Sequence, residues 1–168
     1  MPSKPPPQDP VSAFARHDHG RCRAAAMAAA ASICAERGLR LTKARSCALE
    51  ILLQSHKALG AYEVLDGMSA AGLGAQPPVA YRALDFLVTN GLAHRIEKLN
   101  AYVACARPDH VHAPAFLICR LCRQVAEADA PRAQAGLGVA AERLGFAIEV
   151  RVVELEGLCP ACRPAEGA

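Results

Sequence analysis

PPVAYRALDFLVTNGLAHRIEKLNAYVAC, residues 77–105, decides how the rest of this chain is read. Two prolines open it, and proline is tolerated at the first helical position because its missing N–H has no intrahelical partner there. Ala80, Ala83, Leu84, Leu87 and Val88 then share one broad apolar face. Tyr81, Arg82, Asp85 and Thr89 gather opposite, within a sector of about 100°. Asn90-Gly91 stops the helix. From Leu92 to Glu97 apolar and polar residues alternate, Lys98-Leu99-Asn100 make a turn, and 101–105 alternate again, so the spacing predicts a β-hairpin. Arginine beside tyrosine near a helix N-terminus suits a recognition helix in a DNA major groove. Alone, it fits an ordinary amphipathic helix equally well. The hairpin that follows decides for a winged helix, with the hairpin as its wing.

The upstream sequence supplies the missing helices. A first is expected over residues 23–37, ended by Gly38. Thr42 is a good N-cap for a second, which carries Ala48, Leu49, Leu52 and Leu53 and runs to about Ser55. A third starts near Ala61, sets Val64, Leu65 and Met68 on one face, and closes at Gly72 and Gly74. Residues 39–105 thus read as a winged helix-turn-helix. Residues 1–20 hold Pro2, Pro5, Pro6, Pro7 and Pro10 and are expected to be disordered. His17 and His19 read there as incidental tail residues rather than metal ligands.

Downstream lie two Cys-x-x-Cys pairs, Cys119/Cys122 and Cys159/Cys162, with 36 residues between them. One such pair fits a redox dithiol as well as a metal knuckle; two together make a closed tetrahedral four-sulfur zinc site. Short strands are expected over 115–118 and 124–126, and a helix over 130–144. A strand is expected over 146–154, with Phe146, Ile148, Val150 and Val152 on one face. A sheet this small has an edge open to a second copy. Four further metal-ligating types fall near the junction: His94, Cys105, His112 and Glu127. His94 can be an ordinary core histidine. With the other three it makes a thiolate, two imidazoles and a carboxylate, a tetrahedral set whose sulfur favours Zn2+ over Fe2+ or Mn2+.

Composition narrows the function class. The 168 residues carry a net charge of +3, with 12 basic against 8 acidic side chains in residues 1–104 and 7 against 8 in 105–168. The positive excess lies in the winged-helix half. No secretory signal precedes the eight cysteines, the Ala-rich run 24–31 being too weakly apolar for one. No apolar run reaches the ~18–20 residues needed to span a bilayer. A cytoplasmic protein with no membrane partner is expected. There is no glycine-rich phosphate loop and no nucleophile with a base and an orienter, so no enzyme and no small-molecule substrate are expected.

Read together, these segments resemble the ferric uptake regulator family, and within it the zinc uptake regulators. The resemblance rests on Leu41-Thr42-x-x-Arg45, on residues 77–87, on Gly91-Leu92-Ala93-His94-Arg95-Ile96-Glu97, on Phe116-Leu117-Ile118-Cys119-x-x-Cys122 and on Gly157-Leu158-Cys159-x-x-Cys162. It covers about residues 24–163. It implies an α+β fold: a winged helix-turn-helix domain, then a small α/β dimerisation domain with a four-cysteine zinc site. The divisions expected are a tail at 1–22, a DNA-binding domain at 23–105, a hinge at 106–113, and a zinc-binding dimerisation domain at 114–168. It makes Cys119, Cys122, Cys159 and Cys162 the structural zinc ligands, and His94, Cys105, His112 and Glu127 the regulatory ones. Two Zn2+ per chain are expected. Tyr62, Tyr81 and Arg82 fall at DNA-contact positions, with Lys43 and Arg45 expected on phosphates. The function implied is a zinc-responsive repressor of zinc uptake genes that binds a palindromic double-stranded operator as a metal-loaded homodimer. The alternative is an iron- or peroxide-responsive regulator of the same family; a thiol oxidoreductase using Cys119 and Cys122 is a third reading. This chain departs from the family at Ala80, where a threonine is usual and a hydroxyl is expected to be missing from the DNA face. The family's histidine cluster is thinned to His110 and His112. At Ser69, one turn after Asp66, some zinc regulators carry an arginine that pairs neighbouring dimers.

Overall fold

The computed structural model describes residues 13–74, 76–109, 112 and 114–164. The expectations for residues 1–12 and for His110 lie outside them. Five helices and two three-stranded sheets follow in the order α1 (His19–Glu36), α2 (Lys43–Leu52), β1 (Leu59–Gly60), α3 (Ala61–Ala70), α4 (Pro77–Thr89), β2 (Ala93–Ile96), β3 (Ala101–Ala104), β4 (Ala115–Cys119), β5 (Val125–Ala128), α5 (Pro131–Arg143) and β6 (Val153–Gly157). This is the α+β class that the sequence implies.

Three helices make the first core. Ala48, Leu49 and Leu52 of α2, Val64 and Met68 of α3, and Ala80, Ala83, Leu84 and Leu87 of α4 meet in one buried cluster, joined by Ala30, Ile33 and Cys34 of α1. Truncating a fully buried leucine here, such as Leu84, costs about 2–5 kcal/mol. Helix α4 ends as the sequence predicts. Gly91 takes φ +71°, its N–H bonds Val88 O at 3.1 Å, and Leu92 N bonds Leu87 O at 2.8 Å. That pairing is a Schellman stop, and it drops buried Leu92 beside Leu87 and aims the chain into β2.

The wing sheet has the order β1-β3-β2. His94 pairs with Val103 and Ile96 with Ala101 across β2 and β3. A single 3-10 turn at Glu97–Leu99 closes the hairpin. The short β1 beside Tyr102 was not foreseen. The second sheet has the order β5-β4-β6, with β4 antiparallel to β5 and parallel to β6. The two sheets share a core of Ala58, Ile96, Ala101, Val103, Phe116, Ile118 and Val125. A short ladder adds to it: Val125 N donates to His56 O at 2.8 Å and Ala58 N to Arg123 O at 3.0 Å.

Four expectations need correction. Helix α1 starts at His19 rather than Arg23, because the Asp18 side chain accepts from Arg21 N at 3.1 Å and caps it. Residues 19–22, assigned to the tail, are therefore helical. Helix α2 stops at Leu52, short of Ser55. The strand expected over 146–154 is displaced to Val153–Gly157, and Phe146 and Val150 are 66% and 82% exposed. The free edge of β4 fits only one strand, and Cys119 pairs with Gly157 in that register, which brings Cys159 to the first knuckle. Residues 146–152 are left without a neighbouring strand. Finally, Ala80 is buried against the helical core, so a hydroxyl at that position does not belong to the outer face of α4.

Candidate metal centres and nucleic-acid interface

Cys119 ends β4, and the chain turns back through Arg123, whose N–H donates to Cys119 O at 2.9 Å with φ at +61°. Cys159 and Cys162 lie on a matching turn after β6, closed by Cys162 N to Cys159 O at 2.9 Å. All four sulfurs lie within 4.8 Å of one another, and Cys122 Sγ and Cys159 Sγ are 3.7 Å apart. A tetrahedral four-sulfur zinc site with Zn–S of about 2.3 Å places its sulfurs about 3.8 Å apart. A disulfide needs about 2.05 Å, and all four thiols are free. Burial raises the Cys119 thiol, but backbone N–H groups of Cys122, Cys159 and Leu121 outweigh it and bring the pKa to about 6. The donor set fits Zn2+.

The second cluster forms where the wing meets the second sheet. His94 and Val103 are cross-strand partners, and Cys105 lies two residues beyond Val103, so all three share a face. Cys105 N donates to Leu92 O at 3.0 Å, which extends the ladder and fixes the thiol. Glu127 on β5 pairs with Phe116, whose ring lies 5.2 Å from that of His94. His112 enters from the link, its Nε2 3.0 Å from Glu127 Oε2 and 3.5 Å from Cys105 Sγ. His94 Nε2 lies 3.5 Å from Glu127 Oε1. The four ligand atoms are within 4.8 Å of one another.

This cluster is electrostatically unfinished without a cation. Glu127 is only 6% exposed. Burial raises its pKa, but His94, the Ala106 N–H at 2.8 Å and His112 outweigh that and hold it below the usual carboxylate range. Burial first, then the Glu127 charge, push the Cys105 thiol up to about 12. His94 Nε2 is buried and makes no well-formed hydrogen bond among the described residues, its nearest polar neighbour being Glu127 Oε1 at 3.5 Å. A divalent ion held here by His94, Cys105, His112 and Glu127 would ligate that nitrogen and would favour the thiolate over the thiol. The residues fit Zn2+, and His94 faces the cluster rather than the apolar core.

The residues expected to contact DNA lie mostly on the surface, with Tyr81 and Arg82 on the outer face of α4 as the helical wheel predicts. Tyr81 on α4 and Tyr62 on α3 are 42% and 65% exposed, and Arg82 is exposed beside Tyr81. Arg82 Nε donates to Pro78 O at 3.2 Å, which steadies the side chain at the α4 N-terminus. Lys43 is exposed. Arg45 is placed differently: its guanidinium lies 3.6 Å over the Phe86 ring and donates to Arg40 O at 2.6 Å. It braces α2 against α4 before it meets any phosphate.

One cluster was missed. His17, His19, Cys22 and His56 also bring four ligand atoms within 4.8 Å. Burial, then His19 and His17, lower the His56 pKa to about 4. The spacing His-x-His-x-x-Cys at a helix start was the only signal available for it.

No family model matches the chain. The zinc uptake regulation protein of Escherichia coli K12 is 39% identical over 141 residues, 83% of this chain and 82% of that protein. A solved zinc uptake regulator complexed with zinc and DNA is 38% identical, covers 83% of this chain and 94% of its own, and superposes with a TM-score of 0.79. The holo form of XcZur, 38% identical, covers 86% of this chain and 98% of its own with a TM-score of 0.72. The apo form of the same protein, covering 84% and 98%, gives 0.51. A winged helix joined to a four-cysteine unit through a Cys/His/Glu cluster is the layout of a metal-dependent regulator. The chain belongs to the zinc uptake regulators of the ferric uptake regulator family.

Proposed function

We infer that this chain is a zinc-responsive transcriptional repressor of zinc uptake genes, which binds a palindromic operator as a metal-loaded homodimer. It is a DNA-binding regulator and not an enzyme. The observation that carries the reading is the junction cluster. Its ligands come from β2 (His94), the end of β3 (Cys105), the link (His112) and β5 (Glu127), so occupancy constrains how the wing sits against the second sheet. Two Zn2+ per chain are assigned to it, one held by the four cysteines as a staple and one by the junction cluster as the signal. Bound zinc supplies the positive charge that lets the Cys105 thiolate, Glu127 and two neutral imidazoles converge.

Residues 23–105 act as the DNA-binding domain, 106–113 as the hinge, and 114–168 as the dimerisation and zinc-binding domain. Tyr62, Tyr81, Arg82 and Lys43 face the operator, Arg82 reading bases and Lys43 a phosphate. Arg45, held against Phe86 and Arg40 O, supports α2 beside them and reaches a phosphate only by leaving those contacts. Residues 146–152 and the free edge of β6 supply the dimer contact: 146–152 is an alternating apolar segment that pairs with no strand of its own chain, and it follows α5, which buries none of its residues. No helix among the described residues is long and apolar enough to cross a membrane, and a cytoplasmic location agrees with an operator as partner. Sensing is linkage: an ion that binds the DNA-competent arrangement more tightly shifts the population towards it. The closer match to the holo than to the apo relative supports that arrangement here. The Cys105 sulfur disfavours an iron or peroxide signal.

The test is a zinc titration of operator binding by Cys105→Ser beside the parent, on a duplex selected from random DNA by the zinc-loaded parent. The variant is expected to keep its fold and its four-cysteine zinc while losing zinc-dependent binding. Superimposable curves overturn the reading.

A further inference from the structure

We propose that His17, His19, Cys22 and His56 form a third transition-metal site, which fastens the start of α1 to the turn after α2. It depends on neither the junction cluster nor its regulatory role. His19 and Cys22 are three apart on the first turn of α1 and therefore share a face, with the turn held by the Asp18 cap. His17 precedes the cap, and its Nδ1 bonds Ala15 O at 3.0 Å, which leaves Nε2 for the cluster. That Nε2 lies 3.1 Å from His56 Nε2 and 3.4 Å from His19 Nδ1. Three rings thus crowd within 5.0 to 5.5 Å, centroid to centroid.

Hydrogen bonding alone does not account for the cluster. With His17 Nδ1 donating to Ala15, its Nε2 is an acceptor, and both neighbouring nitrogens must donate to it. His19 Nε2 is then a bare acceptor, and it is buried with no hydrogen-bond partner among the described residues. The Cys22 thiol stands within reach as a fourth donor atom. Three imidazoles and a thiol, with no carboxylate in the set, are ligands for Zn2+ and its borderline neighbours rather than for Mg2+ or Ca2+. A backbone carbonyl that orients a ligating imidazole is the usual outer partner in such sites.

The location gives the site a consequence. His56 O accepts from Val125 N, so the turn that carries the ring is already bonded to β5. Phe14, just upstream of His17, lines a cavity of about 230 Å³ with Leu117, Ile118 and Leu155 of the second sheet. An ion here ties the N-terminal segment to both halves of the molecule.

The test compares the full chain with His19→Gln and Cys22→Ser, each stripped by chelator, re-equilibrated at matched free Zn2+ and desalted before elemental analysis. The parent is expected to hold one more zinc per chain than either variant, and to keep that zinc in a Cys105→Ser background. With Co2+ in place of Zn2+, Cys22→Ser should lack a thiolate-to-cobalt charge-transfer contribution that His19→Gln alters in energy. Melting in excess chelator checks that the variants fold, and Cys22→Ser, nearly isosteric, is the safer of the two. Equal zinc content in parent and both variants overturns the proposal, as does a Co2+ spectrum unchanged by Cys22→Ser.

Discussion

Arg82 and Arg45 lie on neighbouring helices and carry the same charge, yet their contacts assign them different work. Arg82 is exposed at the α4 N-terminus, where its Nε donates to Pro78 O. Its loss should leave the melting temperature unchanged and cost about 1–3 kcal/mol at the base it reads. Arg82→Ala is therefore expected to relax base preference at one operator position, measured by binding to a panel of single-substituted duplexes; a uniform loss across the panel would make it a phosphate contact. Arg45 stacks on Phe86 and bonds Arg40 O, so Arg45→Ala should lower stability by about 1–2 kcal/mol before any effect on DNA is counted. Lys43→Ala, exposed and at the first position of α2, is the clean phosphate probe and should flatten the salt dependence of binding. The four cysteines were legible in the sequence because a Cys-x-x-Cys turn is local chemistry. His94 and Cys105 were legible from strand alternation. His56 was not: its partners lie 34 to 39 positions away, and a lone histidine after a helix carries no pattern.

The wing is an element that the sequence placed correctly but whose support it concealed. Its tip is the 3-10 turn Glu97–Leu99, and the first two N–H groups of that turn have no partner within it. Both go to one carboxylate on β6: Glu97 N at 2.6 Å and Lys98 N at 2.9 Å from the Glu154 oxygens. Lys98 adds an ion pair to Glu156 at 3.3 Å, exposed enough to be worth little. Glu154 therefore acts as an N-cap supplied from the other sheet, and it clamps the wing to the unit that carries the cysteines. Alternation could predict the hairpin but not a cap located 57 residues downstream. Glu154→Ala should destabilise the chain by about 1–2 kcal/mol, since two charge-assisted bonds are lost at a partly exposed site. Urea unfolding checks this. The same variant should weaken operator binding in saturating zinc while its zinc content stays that of the parent. If Glu154→Ala binds DNA like the parent, the wing is positioned by the shared core alone.

At the scale of the whole molecule, the displaced strand is the most informative departure. The alternation of Phe146, Ile148, Val150 and Val152 is a real strand signal, but a strand exists only with a neighbour to bond. Inside one chain the free edge of β4 is taken by Val153–Gly157, and the register is fixed by the meeting of the two cysteine knuckles. The proposed dimer contact would give the pattern the neighbour that its own chain does not supply. Exposed Leu144, Phe146, Val150, Val152 and Leu155 make an apolar surface that suits the proposed contact with a second copy. Val150, 82% exposed, separates dimerisation from folding, because a charge there stays in solvent in the single chain. Val150→Asp should keep the parent's zinc content but raise the dimer dissociation constant by about 100-fold, the equivalent of ~3 kcal/mol for a carboxylate forced into an apolar interface. Sedimentation across a dilution series reads that shift. Operator binding should fall with it, since a monomer presents one recognition helix to two half-sites. A Val150→Asp protein that sediments as the parent does at every concentration would place the dimer contact elsewhere. The unpaired segment 146–152 would then need a different partner.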